Sequence, residues 1–451
     1  MQRIMIAGTG SGCGKTTVTC AILSALAHKN VKASAFKCGP DYIDPMFYRE
    51  ILHTPSRNLD SFFCDRDMLL ELFDEGSKDS NISVIEGVMG FYDGDEGSAY
   101  RVSEITETPV ILVLNCRGMK ESIGAVMQGF LQYNTPNRIA GFIFNNLPER
   151  LVPFAKELCD RFHTEYFGFL PVHKYKLESR HLGLVTAAEI EDIEEKMDAL
   201  GKLAEEHFLI DKITSLMCNP LPEYRKFEVS PCGEGTVIAV SRDRAFCFLY
   251  EENIEVLKKL GCTVRFFSPL EDEHLQEADG LILCGGYPEL YAEKLADNRT
   301  MLDDIRNAVL SGMQVIAECG GFMYLHEYLR TEDGRKIPLA GVIKGEVFSE
   351  KHLKRFGYIT MKAHSDSLIN TAGAEIKAHE FHYWESTDPG TSMTAVKPDG
   401  RTWDCCYTTA TMYAGFPHLY FPSDINVAES FVNACGSRRN GANVSFRGAD
   451  N

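Results

Sequence analysis

Residues 3–17, RIMIAGTGSGCGKTT, run from a short apolar strand through a glycine-rich turn into the helical stretch TVTCAILSALAHK. A strand that feeds a helix in this way belongs in a parallel α/β sheet, whose crossing helices cover both faces. The turn also carries chemistry. Its glycines let successive backbone N–H groups point at bound phosphates, Lys15 brings charge to the β and γ oxygens, and Thr16 offers a hydroxyl to Mg²⁺. Gly10, Ser11, Gly12, Cys13, Gly14, Lys15, Thr16 and Thr17 are therefore the candidate ATP-binding residues. The spacing departs from the usual motif at one point: the leading glycine is Gly8, and Thr9 holds the place where it is expected.

The alternation continues to about residue 210. VKASAFK, ISVIEG, PVILVLNC, RIAGFIFNN and YFGFLP are short apolar runs separated by amphipathic stretches, which predicts a doubly wound parallel sheet. Ligands of such sheets sit beyond the carboxyl ends of the strands. Glu86 ends ISVIEG, where the carboxylate that binds or orients hydrated Mg²⁺ is expected. Asp41, Asp44, Asp60 and Asp93 fall in loops after other strands, so they can converge on the same rim. Asn145, closing GFIFNN, has an amide able to hydrogen-bond adenine, although an Asn there is equally a turn former.

Between Asp211 and Thr236 the periodicity fails in CNPLPEYRKFEVSPCGEGT, which predicts a linker over 211–235 between domains at 1–210 and 236–436. A second α/β pattern follows: TVIAVSRD, EENIEVLKKLG, CTVRFFSP, GLILCGG, MLDDIRNAVLSG and QVIAEC. Residues 337–421 read as extended segments and 424–435 as a closing helix, and the polar tail 437–451 is expected to be disordered. In QVIAECGGFMYL, strand, sharp turn and helix place Cys319 at an elbow that only small neighbours such as Gly320 and Gly321 allow. The following helix start is expected to lower the thiol pKa. Gly286, at the end of GLILCGG, and Gly320 are candidate oxyanion-hole donors through their backbone N–H groups. A thiolate of this kind needs an imidazole partner. His418 in AGFPHLYFPSD comes in the order expected of a nucleophile-first hydrolase, with His379 and His382 in HEFHYWES as competitors.

A formal charge of −18 argues against nucleic acid and anionic membrane as partners, because both are bound through basic patches. The fifteen cysteines show no Cys-x-x-Cys pair, and no apolar run approaches the ~20 residues of a membrane span. The expectation is a soluble chain in the reducing cytoplasm.

These residues resemble one family. AECGG with the late PHLYF is similar to the cobyric-acid-synthase-type branch of the triad glutamine amidotransferases. KCGPDYIDP (37–45), RNLDSFF (57–63) and VIEGVMGFYDG (84–94) closely resemble the cobyrinic acid a,c-diamide synthases, and the N-terminal half also resembles dethiobiotin synthetase. The resemblance covers nearly the whole chain apart from the tail. It implies a P-loop doubly wound domain followed by a class I glutamine amidotransferase-like α/β domain.

It further implies that Cys319 attacks glutamine and that His418 is the base. The nucleotide half would phosphorylate a carboxylate of cobyrinic acid or a related tetrapyrrole acid, which ammonia then converts to an amide. Mg²⁺ would be held by Thr16, Asp41 and Glu86, with Tyr42, Asp44 and Asp93 at the substrate. The family commonly has His-x-His where this chain has His418-Leu419-Tyr420, and the His-Pro-Glu of other triad enzymes is absent, so the resemblance implies a Cys–His dyad.

Nickel sirohydrochlorin and hydrogenobyrinic acid remain alternative substrates, and a homodimer is left open. A P-loop switch ATPase with an inert second domain is the competing class. Such switches carry an extra lysine early in the phosphate loop, and Gly8-Thr9-Gly10-Ser11 has none.

Overall fold

A computed structural model of the chain describes residues 1–439 except 174, 176–178, 181–182, 185–191 and 351. The chain divides into two compact units, Met1–Phe227 and Glu228 onward.

In the first unit, seven strands form one sheet: β1 (Gln2–Gly8), β2 (Ala33–Cys38), β3 (Ser56–Leu59), β4 (Ile82–Glu86), β5 (Val110–Asn115), β6 (Ile139–Asn145) and β7 (Glu165–Leu170). Their order is β3-β2-β4-β1-β5-β6-β7 and every pairing is parallel. The near-continuous apolar runs seen in the sequence are what a sheet covered on both faces requires. The chain winds from β1 toward β3 and, after β4, crosses toward β7. Loops leaving the carboxyl ends of β1, β2 and β4 therefore open onto a common crevice. Helix α1 (Lys15–His28) is buried along most of its length, since the helix Ile193–His207 packs on it.

The segment expected to be a linker is partly built into this unit. A short helix, Ile210–Thr214, is followed by irregular chain whose groups bond back: the Arg3 guanidinium donates to the Asn219 carbonyl at 3.0 Å, and the Tyr224 hydroxyl to Asp74 at 2.7 Å.

The second unit is built on a six-stranded sheet. Its order is Thr263–Phe267, Val237–Ser241, Gly280–Leu283, Gln314–Glu318, Met412–Gly415 and Tyr407–Thr408, with only the last pairing antiparallel. Alternate residues enter different cores, as a period of two demands. Leu281, Leu283, Val315 and Ala317 face one cluster, whereas Ile282 and Ile316 face the other.

Two further sheets occupy the part of the sequence read as extended. One holds His326–Arg330, Lys336–Pro338, Ile343–Ser349 and Trp384–Ser386. The other holds Arg355–Ala363, Glu375–His382, Met393–Val396, Thr402–Cys405 and His418–Leu419. The closing helix spans Ile425–Arg439, so it continues into the segment expected to be disordered, and residues 440–451 lie outside the described residues.

One buried histidine sets a pH dependence. His326 is fully buried, with Nδ1 at 2.9 Å from the Phe322 carbonyl and Nε2 at 2.7 Å from the Ser386 hydroxyl. A neutral ring donating from Nδ1 and accepting at Nε2 satisfies both contacts, and burial lowers its pKa from 6.5 to about 4. Between those values the unfolded chain takes up a proton that the folded ring refuses. The stabilisation is complete above pH 6.5 and is lost as pH falls, by roughly 1.4 kcal/mol per pH unit. We expect denaturant titrations between pH 6.5 and 5 to show a proton-linked slope that drops by about one proton in His326→Gln. An unchanged slope would contradict this account.

Candidate functional site

Two clusters of functional side chains form, one in each unit. In the first, the phosphate loop follows β1 and enters α1 through Gly14, whose φ of 100° is left-handed. A side chain there would be strained and its Cβ would overlap the Asn145 amide. That amide donates to the Cys13 carbonyl at 2.9 Å, and the Asn145 side-chain oxygen accepts from the Asn146 N–H at 3.0 Å. Asn145 thus buttresses the loop from the end of β6. Lys15 folds along the loop, donating to the carbonyls of Gly10 at 3.1 Å and Met89 at 2.5 Å, and burial lowers its pKa. Gly12 and Ser11 are exposed at the turn.

Behind the loop lies a buried ionic knot. The parallel register puts Lys37 of β2 opposite Glu86 of β4. The Lys37 ammonium lies 2.8 Å from Glu86 Oε1, hydrogen-bonds Asp44 and comes within 3.8 Å of Asp41. The Thr16 hydroxyl reaches Glu86 Oε1 at 2.6 Å and Asp44 at 3.2 Å, and the Tyr48 hydroxyl donates to the other Glu86 oxygen. Burial works against the Lys37 charge, but Asp44 and Glu86 outweigh it and hold its pKa well above that of an ordinary lysine. Burial raises the Glu86 pKa, with Asp44 adding to the effect and Lys37 opposing it. Asp41 is raised likewise, first by burial and then by Asp44.

Asp44 and Glu86 therefore already flank a positive charge, both accepting from Thr16 Oγ1, and Asp41 stands at its edge. This is the hard, anionic donor set that suits Mg²⁺, which typically takes one or two carboxylates and completes its shell with phosphate and water.

The other expected residues lie around the knot. Asp41 accepts from the N–H groups of Ile43 at 2.9 Å and Asp44 at 3.1 Å, fixing the short helix Ile43–Met46, and buried Tyr42 immediately precedes that helix. Asp93 accepts from the Gly90 N–H at 3.0 Å. A Cβ on Gly90 would lie 3.4 Å from Gly10 Cα, so this turn borders the phosphate loop. Asp60 accepts from the Phe62 N–H at 2.8 Å within its own turn.

In the second unit, Cys319 leaves the Gln314–Glu318 strand with φ 46° and ψ −103°, and the helix Gly320–Tyr324 starts at once. The elbow is held by the Cys319 N–H donating to the Gly415 carbonyl at 2.8 Å. Gly321 is required by close approach, because a Cβ there would overlap the Leu283 carbonyl. A Cβ on Gly320 would stand 3.0 Å from the Gly286 nitrogen, so the two expected oxyanion donors are neighbours. His418 is brought to the same place. A Cβ on Gly285 would lie 2.5 Å from His418 Cε1 and 3.4 Å from Cys319 Cβ.

One expectation is corrected here. The thiol pKa is raised, not lowered, by burial and then by Glu289, with Glu318 and Glu380 adding to it. The helix after Cys319 has only five residues, and the Gly320 N–H offsets little of this. The expected dyad also has a carboxylate beside it: Glu318 Oε2 is 3.5 Å from His418 Nδ1.

The competing histidines stand in different surroundings. His382 stacks on Phe416 with ring centres 3.9 Å apart and bonds the Trp384 carbonyl at 2.6 Å. His379 pairs with His418 across the strands, its ring 6.4 Å away and its pKa lowered to about 3 by burial and by His418. Tyr420, where the family commonly has a second histidine, packs edge-on against Tyr250 at 4.9 Å.

Sequence reading passed over Lys37, Tyr48 and Glu318. For Lys37 and Glu318 a signal was present, since each interrupts an otherwise apolar buried strand, and an unpaired charge there would be costly.

Residues 4–185 match the CobQ/CobB/MinD/ParA nucleotide binding domain, and residues 237–424 match the CobB/CobQ-like glutamine amidotransferase domain. Among the described residues no helix is long and apolar enough to cross a membrane. Curated relatives named cobyrinate a,c-diamide synthase align along nearly the full chain. The protein of Priestia megaterium is 35% identical, over 96% of this chain and 97% of its own. That of Caldanaerobacter subterraneus subsp. tengcongensis is 37% identical, over 96% and 98%. That of Thermoplasma volcanium is 36% identical, over 96% and 97%.

Proposed function

The chain belongs to the cobyrinate a,c-diamide synthase family, and from that membership we propose that it amidates the a and c carboxylates of cobyrinic acid with ATP and glutamine. The observation that carries this reading is the coexistence of a phosphate loop backed by Thr16, Asp44 and Glu86 with a cysteine elbow facing His418.

In the glutaminase reaction the Cys319 proton passes to His418 as sulfur bonds to the amide carbon of glutamine, and the Gly286 and Gly320 N–H groups receive the developing oxyanion. His418 returns the proton to the leaving nitrogen, ammonia departs, and water cleaves the glutamyl thioester. Because the buried thiol is protonated at rest, this transfer is required before attack and cannot be left to a pre-formed thiolate.

At the phosphate loop, Lys15 and the N–H groups of residues 10–17 hold ATP, and Asn145 keeps the turn at Gly14 closed. Bound Mg²⁺, on Thr16 and Glu86 with Asp41 at the rim, would supply positive charge to the β and γ phosphates. Lys37 pairs with Asp44 and Glu86 and holds both carboxylates in place for it. Tyr42, Asp44 and Asp93 border the space for the substrate carboxylate, which takes the γ-phosphoryl group and then exchanges phosphate for ammonia. With all its cysteines free, the chain suits a reducing cytoplasm.

Mass spectrometry of products formed from cobyrinic acid, hydrogenobyrinic acid and nickel sirohydrochlorin, each with ATP, Mg²⁺ and glutamine, tests the assignment. Cobyrinic acid should gain two amides and be consumed fastest. Preference for either other macrocycle replaces the substrate, and ATP hydrolysis indifferent to all three would return the switch-ATPase reading.

A further inference from the structure

We infer that Glu318 is the third member of the glutaminase site, a positioning residue that orients His418 and balances its positive charge; the inference rests on Cys319 and His418 acting as proposed above. Glu318 is the last residue of the strand that delivers the nucleophile, and it is buried. A carboxylate in such a place needs partners to offset the cost of burying its polar atoms. One of its oxygens is hydrogen-bonded and the other faces the imidazole at ion-pair distance. Oε1 accepts the Leu419 N–H at 3.0 Å, fixing the backbone next to His418, and Oε2 stands 3.5 Å from His418 Nδ1. Catalytic hydrogen bonds in ligand-free sites are often this long and tighten on binding.

Once Nδ1–H turns to Glu318 Oε2, Nε2 is the ring nitrogen that takes the Cys319 proton. The imidazolium then forms beside an anion, and no proton moves to Glu318 itself. Another buried carboxylate, Glu380, lies 3.9 Å from the Nε2 of a different ring, His382. The arrangement reaches the chemical outcome of a Cys-His-Glu triad by a different route in sequence. The acid comes from the residue before the nucleophile, which explains how His418-Leu419-Tyr420 can dispense with an acid after the histidine.

Glu318→Gln separates the two contacts. The amide oxygen can still accept from Leu419 N–H, while the amide nitrogen is a donor and cannot accept from Nδ1–H. In the full chain, the kcat for glutamine hydrolysis should fall about 10²-fold or more with KM for glutamine changed less than about threefold, as expected when an orienting carboxylate is lost from a triad. Alkylation of Cys319 by 6-diazo-5-oxo-L-norleucine should slow in parallel, while amidation driven by ammonium chloride stays near the native rate. A kcat within about twofold of native overturns the inference, as does a fall accompanied by loss of the thermal unfolding transition or of ammonium-driven amidation, which would assign Glu318 to the fold. If the native chain is not alkylated at Cys319, the nucleophile assignment itself fails.

Discussion

Cys319→Ala should abolish glutamine-dependent amidation, by on the order of 10⁴-fold or more, while amidation supplied with ammonium chloride continues at close to the native rate. The size follows from the role. Without the thiol no glutamyl thioester forms, and the oxyanion donors alone give only residual catalysis. The substitution is sterically mild, since Ala removes a single buried sulfur from the apolar cluster that also holds Phe322, Met323 and Leu283, and the φ of 46° is no harder for Ala than for Cys. His418→Ala should give the same split between nitrogen sources, because the raised thiol pKa makes a base indispensable. The measurement is the initial rate of amide formation with each nitrogen source. Persistence of glutamine-dependent turnover in Cys319→Ala would remove the elbow from the reaction altogether.

Glu86→Gln should produce the complementary loss. Amidation should fall by on the order of 10³-fold whether glutamine or ammonium supplies the nitrogen, with alkylation of Cys319 unaltered. Glu86 accepts hydrogen bonds from Thr16, Lys37 and Tyr48 together. An amide cannot accept at both ends, so one of these donors loses its partner. The change also removes a negative charge from the set that we propose holds Mg²⁺, leaving Lys37 with Asp44 as its strongest counter-charge. The rate should then depend on Mg²⁺ up to higher concentrations than in the native chain. Retention of ammonium-driven synthesis within a few-fold of native would exclude Glu86 from the phosphoryl-transfer site.

The two variants draw a line between what could be read from residues and what needed coordinates. The phosphate loop was legible because its function is local. Consecutive backbone N–H groups, Lys15 and Thr16 act from one turn, and a strand before and a helix after are visible as periodicity. The Cys319 elbow was legible for the same reason, since small residues on both sides of a strand–helix turn leave few other readings. The residues that condition these groups were harder to see. Lys37 and Glu86 are far apart in the chain and meet because β2 and β4 are paired in register. Glu318 and His418 meet because the Met412–Gly415 strand, which leads into His418, pairs with the Gln314–Glu318 strand, and Leu419 N–H bonds to Glu318. The thiol pKa was misread because the rule for helix starts assumes a longer helix and solvent, whereas Cys319 lies buried among Glu289, Glu318 and Glu380.

The sequence alone therefore determined the parallel α/β architecture, the glycine-rich turn after the first strand and the cysteine elbow, all of which depend on neighbours along the chain. Tertiary structure decided which charges stand together: Lys37 among the acids of the first unit, and Glu318 beside His418 in the second. The physical reason is that pairing between distant strands, and the burial that goes with it, set the dielectric and the counter-charge around an ionisable group, and neither quantity is encoded by that group's own neighbours in the chain.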